Sequence, residues 1–241
     1  MRIPSVLAPL SRPSAFWDSY LTLLGVLTAS LVLFPFVSRN PLIWVAKIVL
    51  LVAAIIISYR ASRSDAGVVG WVTVGAAAIG VILSAALFSS SDTVLGLVSL
   101  ALAALIGSGP IVILRHVYTQ PKVTANDVVG ALDAYVEMGF FFTFLYSAID
   151  NFSADPLFSQ VADPPLFDYV YFSFVTMTSL GYGDLSPALA VGKGLVIVEV
   201  LLGSIFLVVL VARLVGTLGM ERVVHPGGDR ADDANDQLEA D

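Results

Sequence analysis

Six apolar stretches of membrane-crossing length, parted by short polar breaks, dominate this chain of 241 residues. A hydrocarbon core of about 30 Å takes roughly 20 apolar residues as a helix. Lipid offers backbone N–H and C=O groups no partner, so each stretch must satisfy its own as a helix. The stretches run from Phe16 to Val37, Leu42 to Tyr59, Val68 to Phe88, Val94 to Val117, Val128 to Ile149 and Ala188 to Val215. The breaks carry turn and cap residues, as in Ser38-Arg39-Asn40-Pro41 and Ser89-Ser90-Ser91-Asp92. Composition agrees: 57% of residues are hydrophobic and only 13% charged, against about a quarter charged in soluble domains. The expected fold class is an all-α membrane protein.

Several function classes drop out on composition. Basic residues are scattered singly with no interleaved aromatics, which excludes a nucleic-acid partner. There is no cysteine, and His116 and His225 lie far apart, so neither a metal site nor a cofactor is expected. An enzyme is not expected either. Gly107-Ser108-Gly109-Pro110 lacks the Gly-x-Ser-x-Gly elbow of a serine nucleophile, and no histidine lies inside a span to act as base. The segment from Met1 to Ser14 lacks the compact apolar core and cleavage site of a removed signal peptide.

Lys and Arg in short loops are retained on the cytoplasmic side. With both termini cytoplasmic, Arg2, Arg12, Arg60, Arg63, Arg115, Lys122, Arg213, Arg222 and Arg230 fall inside, and only Arg39 and Lys193 outside. A multi-pass protein of the plasma (inner) membrane is expected. The long break between spans five and six is then extracellular, and it carries Asp150, Asp155, Asp163 and Asp168. These acids suit a vestibule that concentrates cations, or are simply solvated loop residues.

That outer break contains an apolar, aromatic run, Leu166 to Ser179, whose fourteen residues are too few to cross. It reads as a re-entrant helix, and irregular backbone after it must be buried in protein or line water. Gly181-Tyr182-Gly183 follows, and two glycines around one residue permit backbone conformations that place successive carbonyls on one side. Four such strands about an axis would replace the water shell of a potassium ion. One such segment per chain and no internal duplicate require four chains, a homotetramer.

Thr176-Met177-Thr178-Ser179-Leu180-Gly181-Tyr182-Gly183-Asp184-Leu185-Ser186-Pro187 resembles the pore signature of the potassium channel superfamily, most closely its prokaryotic single-pore members. The resemblance covers Val128 to Gly219. It implies a selectivity filter formed by Thr178, Ser179, Leu180, Gly181, Tyr182, Gly183 and Asp184. Potassium would lie at Ser179, Leu180, Gly181 and Tyr182, as the transported substrate of passive conduction, with membrane lipids as the other partner. The commonest family pattern has threonine and valine where this chain has Ser179 and Leu180. Ser179 keeps the hydroxyl, and Leu180 is expected to pack its side chain behind the filter. Some members carry a buried glutamate where this chain has Val175, so no acid reaches Asp184 from there. The alternatives are a non-selective cation channel, which Tyr182 argues against, and a non-conducting regulatory subunit.

The expected organisation is a four-helix module over 1–122, a two-helix pore domain over 123–219 with its pore loop at 166–187, and an acidic disordered tail over 220–241. The fourth span has one arginine, Arg115, too few for a voltage sensor. In span six, Gly203 stands where the family commonly places a hinge, although small residues also serve close helix packing. Taking Ser204 as lumen-facing, the helical period adds Leu207, Val208, Val211 and Val215 to a greasy inner throat. Lys47, Asp133, Glu137 and Glu199 are ionisable residues inside spans and each needs a partner. The same period turns Glu199 away from the lumen, toward a hydrogen bond with Thr176 or Thr178. Asp133 and Glu137 share a face at i,i+4. Glu137 and Glu199 both fall near the midplane, where coupled carboxylates would sense protons; separate partners such as Lys47 are the alternative.

Overall fold

The computed structural model describes residues 20–35, 41–62, 91–119 and 125–223, with the isolated positions 68, 71, 72 and 75. Most of the third expected span, Val68 to Phe88, both chain termini, and the side chains of Lys47 and Val215 lie outside the described residues. Among the described residues there are six helices and no strand: α1 (Tyr20–Leu33), α2 (Pro41–Ala61), α3 (Asp92–Thr119), α4 (Ala125–Phe152), α5 (Leu166–Met177) and α6 (Ala190–Val223). Three carry segments long and apolar enough to cross a membrane, Asp92–Val117, Asn126–Phe152 and Ala190–Arg213.

The core forms because α1 to α4 offer one another apolar side chains on facing sides. Leu23, Leu27, Ile55, Ala103, Ile106, Ile113, Ala134 and Phe140 are buried in a single cluster. The most extensive contact is α3 on α4, where small residues bring the backbones close. A Cβ at Gly107 would meet the Phe141 ring at 2.6 Å. The hydroxyls of Tyr20 and Ser62 tie α1 to the end of α2 at 3.2 Å, and those of Ser99 and Ser147 tie α3 to α4 at 3.0 Å.

A second cluster joins α4 to α5. Tyr146 and Phe172 meet edge to face at 4.9 Å, as do Phe158 and Phe172, the arrangement aromatic quadrupoles favour. Twelve residues make α5 about 18 Å long at 1.5 Å per residue, well short of a span. Its N-terminus starts at Pro165, and its C-terminal Thr178 closes the last turn with an N–H donated to Phe174 O. By contrast α6 packs on its neighbours along one side only. Ile197, Val198, Leu201, Leu202, Ile205 and Val208 are exposed in the single chain.

Candidate functional site

The segment after α5 departs from helix by alternating the hand of its backbone. Ser179 has φ 58°, Gly181 52° and Gly183 78°, whereas Leu180 and Tyr182 between them keep negative φ. Alternation of left- and right-handed residues is the backbone that turns successive carbonyls to one side. Glycine adopts positive φ freely, whereas a residue with a Cβ pays about 1–2 kcal/mol. Ser179 therefore carries strain that Gly181 and Gly183 avoid. It is held by the turn beneath it: Ser179 N–H donates to Thr176 O at 2.9 Å, and the Leu180 and Gly181 N–H groups both reach Val175 O, at 3.0 and 3.3 Å. Leu180 is 56% and Tyr182 66% exposed in the single chain. The Leu180 side chain is thus not packed behind the segment by its own subunit.

Past the glycines the chain is pinned from the side. The Tyr171 hydroxyl on α5 donates to the Asp184 carboxylate at 2.7 Å, and the Tyr171 and Tyr182 rings lie parallel, 6.5 Å apart. The bond to Asp184, with some burial, pushes the Tyr171 phenol up to about 12. Burial, and then the Asp184 charge, raises the Asp168 carboxyl. No acid at Val175 is needed to hold Asp184. Tyr171, which sequence reasoning passed over, does it from one turn earlier in the helix. Ser186 and Gln160 exchange two bonds, the Gln160 amide donating to Ser186 Oγ at 2.7 Å and the Ser186 N–H donating to Gln160 Oε1 at 3.0 Å. Ala188 N–H donates to Leu157 O at 2.7 Å. Of the four loop acids, Asp150 is structural: it accepts from Leu157 N–H at 2.6 Å and from the Tyr169 hydroxyl.

Behind the segment, Glu199 of α6 is fully buried. It accepts from Tyr146 Oη on α4 at 2.6 Å and lies 2.6 Å from Ser173 Oγ on α5, a hydroxyl that also reaches the Gly139 carbonyl oxygen at 2.8 Å. The expected partners are corrected here. Thr178 donates back to Phe174 O at 2.7 Å, and the α5 residue facing Glu199 is Ser173, one turn before Met177. Gly203 lies one turn along α6 from Glu199, against the end of α5; a Cβ there would meet Met177 Cγ at 2.8 Å and Met177 O at 2.9 Å. The close packing of this glycine is therefore a structural fact, and α6 runs on through it without interruption. Ser204, Leu207, Val208 and Val211 lie on the outward side of α6, exposed in the single chain.

Asp133 and Glu137 are buried on α4 and neither carboxylate has a hydrogen-bond partner. The structure does not bring them to Glu199, whose two donors are Tyr146 and Ser173. Ser108, the only serine in the glycine-rich run of α3, donates its hydroxyl to Leu105 O at 2.5 Å. Among the described residues no three His, Cys, Asp or Glu side chains gather as a metal site.

Residues 131–219 match the family model described as Ion channel. The match takes in most of α4, all of α5, the segment of alternating hand and α6 as far as Gly219. It supports an ion-channel family, and with three helices of membrane-crossing length it supports a membrane protein. No curated protein and no solved structure matches the chain.

Proposed function

We propose that the chain is one subunit of a homotetrameric potassium-selective channel, with Thr178 to Asp184 as its filter. The observation that carries this reading is the alternation of positive φ at Ser179, Gly181 and Gly183 directly after a helix too short to span. Backbone carbonyls presented on one side of each of four strands would replace the hydration shell of a potassium ion, with the Ser179 hydroxyl completing the innermost position. The α5 helix is then the re-entrant pore helix between α4 and α6. One strand presents a quarter of a ring, so the site closes only when four chains meet. The exposed apolar length of α6 supports that closure, since it gives neighbouring inner helices and lipid a surface to cover.

In this reading Ser204, Leu207, Val208, Val211 and Val215 line the inner throat, which gates by dewetting as the helices converge. The membrane is the plasma (inner) membrane, with six spans, both termini cytoplasmic, and residues 1–122 a module that does not sense voltage. The deciding experiment is reconstitution of the purified protein in planar bilayers with reversal potentials in mixed potassium and sodium. Reversal near zero in opposing potassium and sodium solutions would refute the selectivity.

A further inference from the structure

The pore reading leaves unused the face of α4 that packs on α3, which in turn packs on α2. There Asp133 is 0% and Glu137 1% exposed, and none of their carboxylate oxygens has a hydrogen-bond partner. A third polar group, the Ser58 hydroxyl on α2, is also fully buried, has no well-formed hydrogen bond, and lies close enough to Glu137 to act on its carboxylate. On the third side α3 closes the site: Gly109 lies so near the Glu137 carboxylate that a Cβ added there would collide with it. Pro110 follows directly inside the same helix, where its missing N–H weakens the backbone ladder.

Among the described residues, which exclude the Lys47 side chain, the other ionisable groups near this face are occupied or turned away. Arg60 at the end of α2 and Arg115 near the end of α3 are exposed. Tyr20 of α1 packs over Gly130, with His116 of α3 at 6.4 Å ring to ring. Tyr59 is buried beside Ser58, and on the other side Glu199 of α6 takes its donors from Tyr146 and Ser173. Among the described residues no cation acts on either carboxylate. Two carboxylates are acceptors only, and one serine supplies a single donor. A dry contact cannot hold both acids charged, but a proton on one of them removes a charge and adds the missing donor.

We propose that Asp133 and Glu137, with Ser58, form a proton-binding site that holds α3 against α4. A proton taken from water neutralises the pair, and the carboxyl O–H so formed donates to the other carboxylate or to Ser58 Oγ. Loss of the proton leaves two negative charges under Gly109, which favours parting of the helices at the weakened Gly109–Pro110 turn. The far end of α3 is tied to the inner helix, because Arg213 Nη2 on α6 donates to Val117 O at 2.6 Å. Movement of α3 therefore reaches α6 two residues beyond Val211. That last consequence rests on the channel reading; the proton site itself does not.

The test is infrared spectroscopy of the full-length protein in lipid vesicles, followed from neutral to alkaline pH. Wild type should have a protonated-carboxyl C=O band that is lost in Glu137→Gln or Asp133→Asn and fades in wild type as pH rises. Spin labels on α3 and α4 should move apart over the same pH range, and should stop responding in the double variant. A C=O band unchanged in both single variants, or a spin-label distance indifferent to pH in wild type, overturns the proposal. If one neutral variant fails to fold, the other serves, and Ser58→Ala should shift the frequency of the band that remains. A band lost as expected in a protein that passes no current supports the proton site while refuting the channel reading.

Discussion

Glu199 on α6 and Tyr146 on α4, 53 residues apart in sequence, are joined by a 2.6 Å hydrogen bond in which the carboxylate accepts. Ser173 on the helix before the proposed filter lies 2.6 Å from the same carboxylate, so one buried side chain joins three helices behind the proposed conduction path. A hydrogen bond contributes about 0.5–1.5 kcal/mol net, and a buried polar group left without a partner costs about 1–3 kcal/mol. Glu199→Gln should retain an acceptor for Tyr146 and keep the unitary conductance. Glu199→Leu should destabilise the assembled protein by about 2 kcal/mol or more, read as a lowered thermal midpoint of the oligomer. A large fall in conductance with glutamine would place this residue in the ion path instead.

The Tyr171 hydroxyl bond to Asp184 makes a second, separable prediction. Tyr171→Phe keeps the ring parallel to Tyr182 and removes only the tether. Selectivity should be unchanged, while currents should decline faster during sustained opening. The tether also has a pH window. An unperturbed phenol titrates near 10, and the bond to Asp184 pushes this one up to about 12, so the protonated donor is favoured by folding. Its contribution is complete below about 10 and is lost as pH rises toward about 12. Accelerated decline in wild type over that alkaline interval, absent in Tyr171→Phe, is the expected result.

The features most legible in the sequence were those with local signatures. The apolar run from Leu166 to Ser179 is followed by Gly181-Tyr182-Gly183, and the structure gives a helix over Leu166–Met177 followed by positive φ at both glycines. Helical phase alone turned Glu199 away from the expected lumen face. Its partners were illegible, because Tyr146 and Ser173 lie 53 and 26 residues away and only packing selects them over Thr176 and Thr178. Ser179 illustrates a different limit. Nothing in its residue type announces a left-handed backbone, which is imposed by the alternation it shares with the two glycines. Tyr171 was passed over because a tyrosine in an aromatic run reads as packing until its hydroxyl is seen to meet Asp184.

Gly203 of α6 abuts Met177 at the end of α5. Gly203→Ala would drive a methyl group onto the Met177 backbone carbonyl, which cannot swing aside as a flexible side chain can. The variant should lose about 1–3 kcal/mol of stability through overpacking. Gly203→Ala with wild-type thermal stability and altered opening would instead assign this glycine to bending.

Voltage sensitivity should be weak. One elementary charge crossing the field yields about 2.3 kcal/mol per 100 mV, and steep gating takes three or four in each subunit. Helix α3 offers Arg115, which is exposed near the helix end. A conductance–voltage curve in symmetrical potassium should change gradually over the accessible range. A transition complete within a few tens of millivolts, flattened by Arg115→Gln, would make residues 1–122 a voltage sensor.

The most direct test of the potassium-channel reading is the reversal potential of the reconstituted protein with potassium on one side and sodium on the other. It should lie strongly toward the potassium equilibrium potential in wild type. It should move to near zero, or current should vanish, in Gly181→Ala and Gly183→Ala, because alanine at positive φ costs about 1–2 kcal/mol and disturbs the backbone alternation that turns the carbonyls to one side. A wild-type reversal near zero, or undiminished selectivity in both alanine variants, would contradict the assignment of Thr178 to Asp184 as a potassium filter.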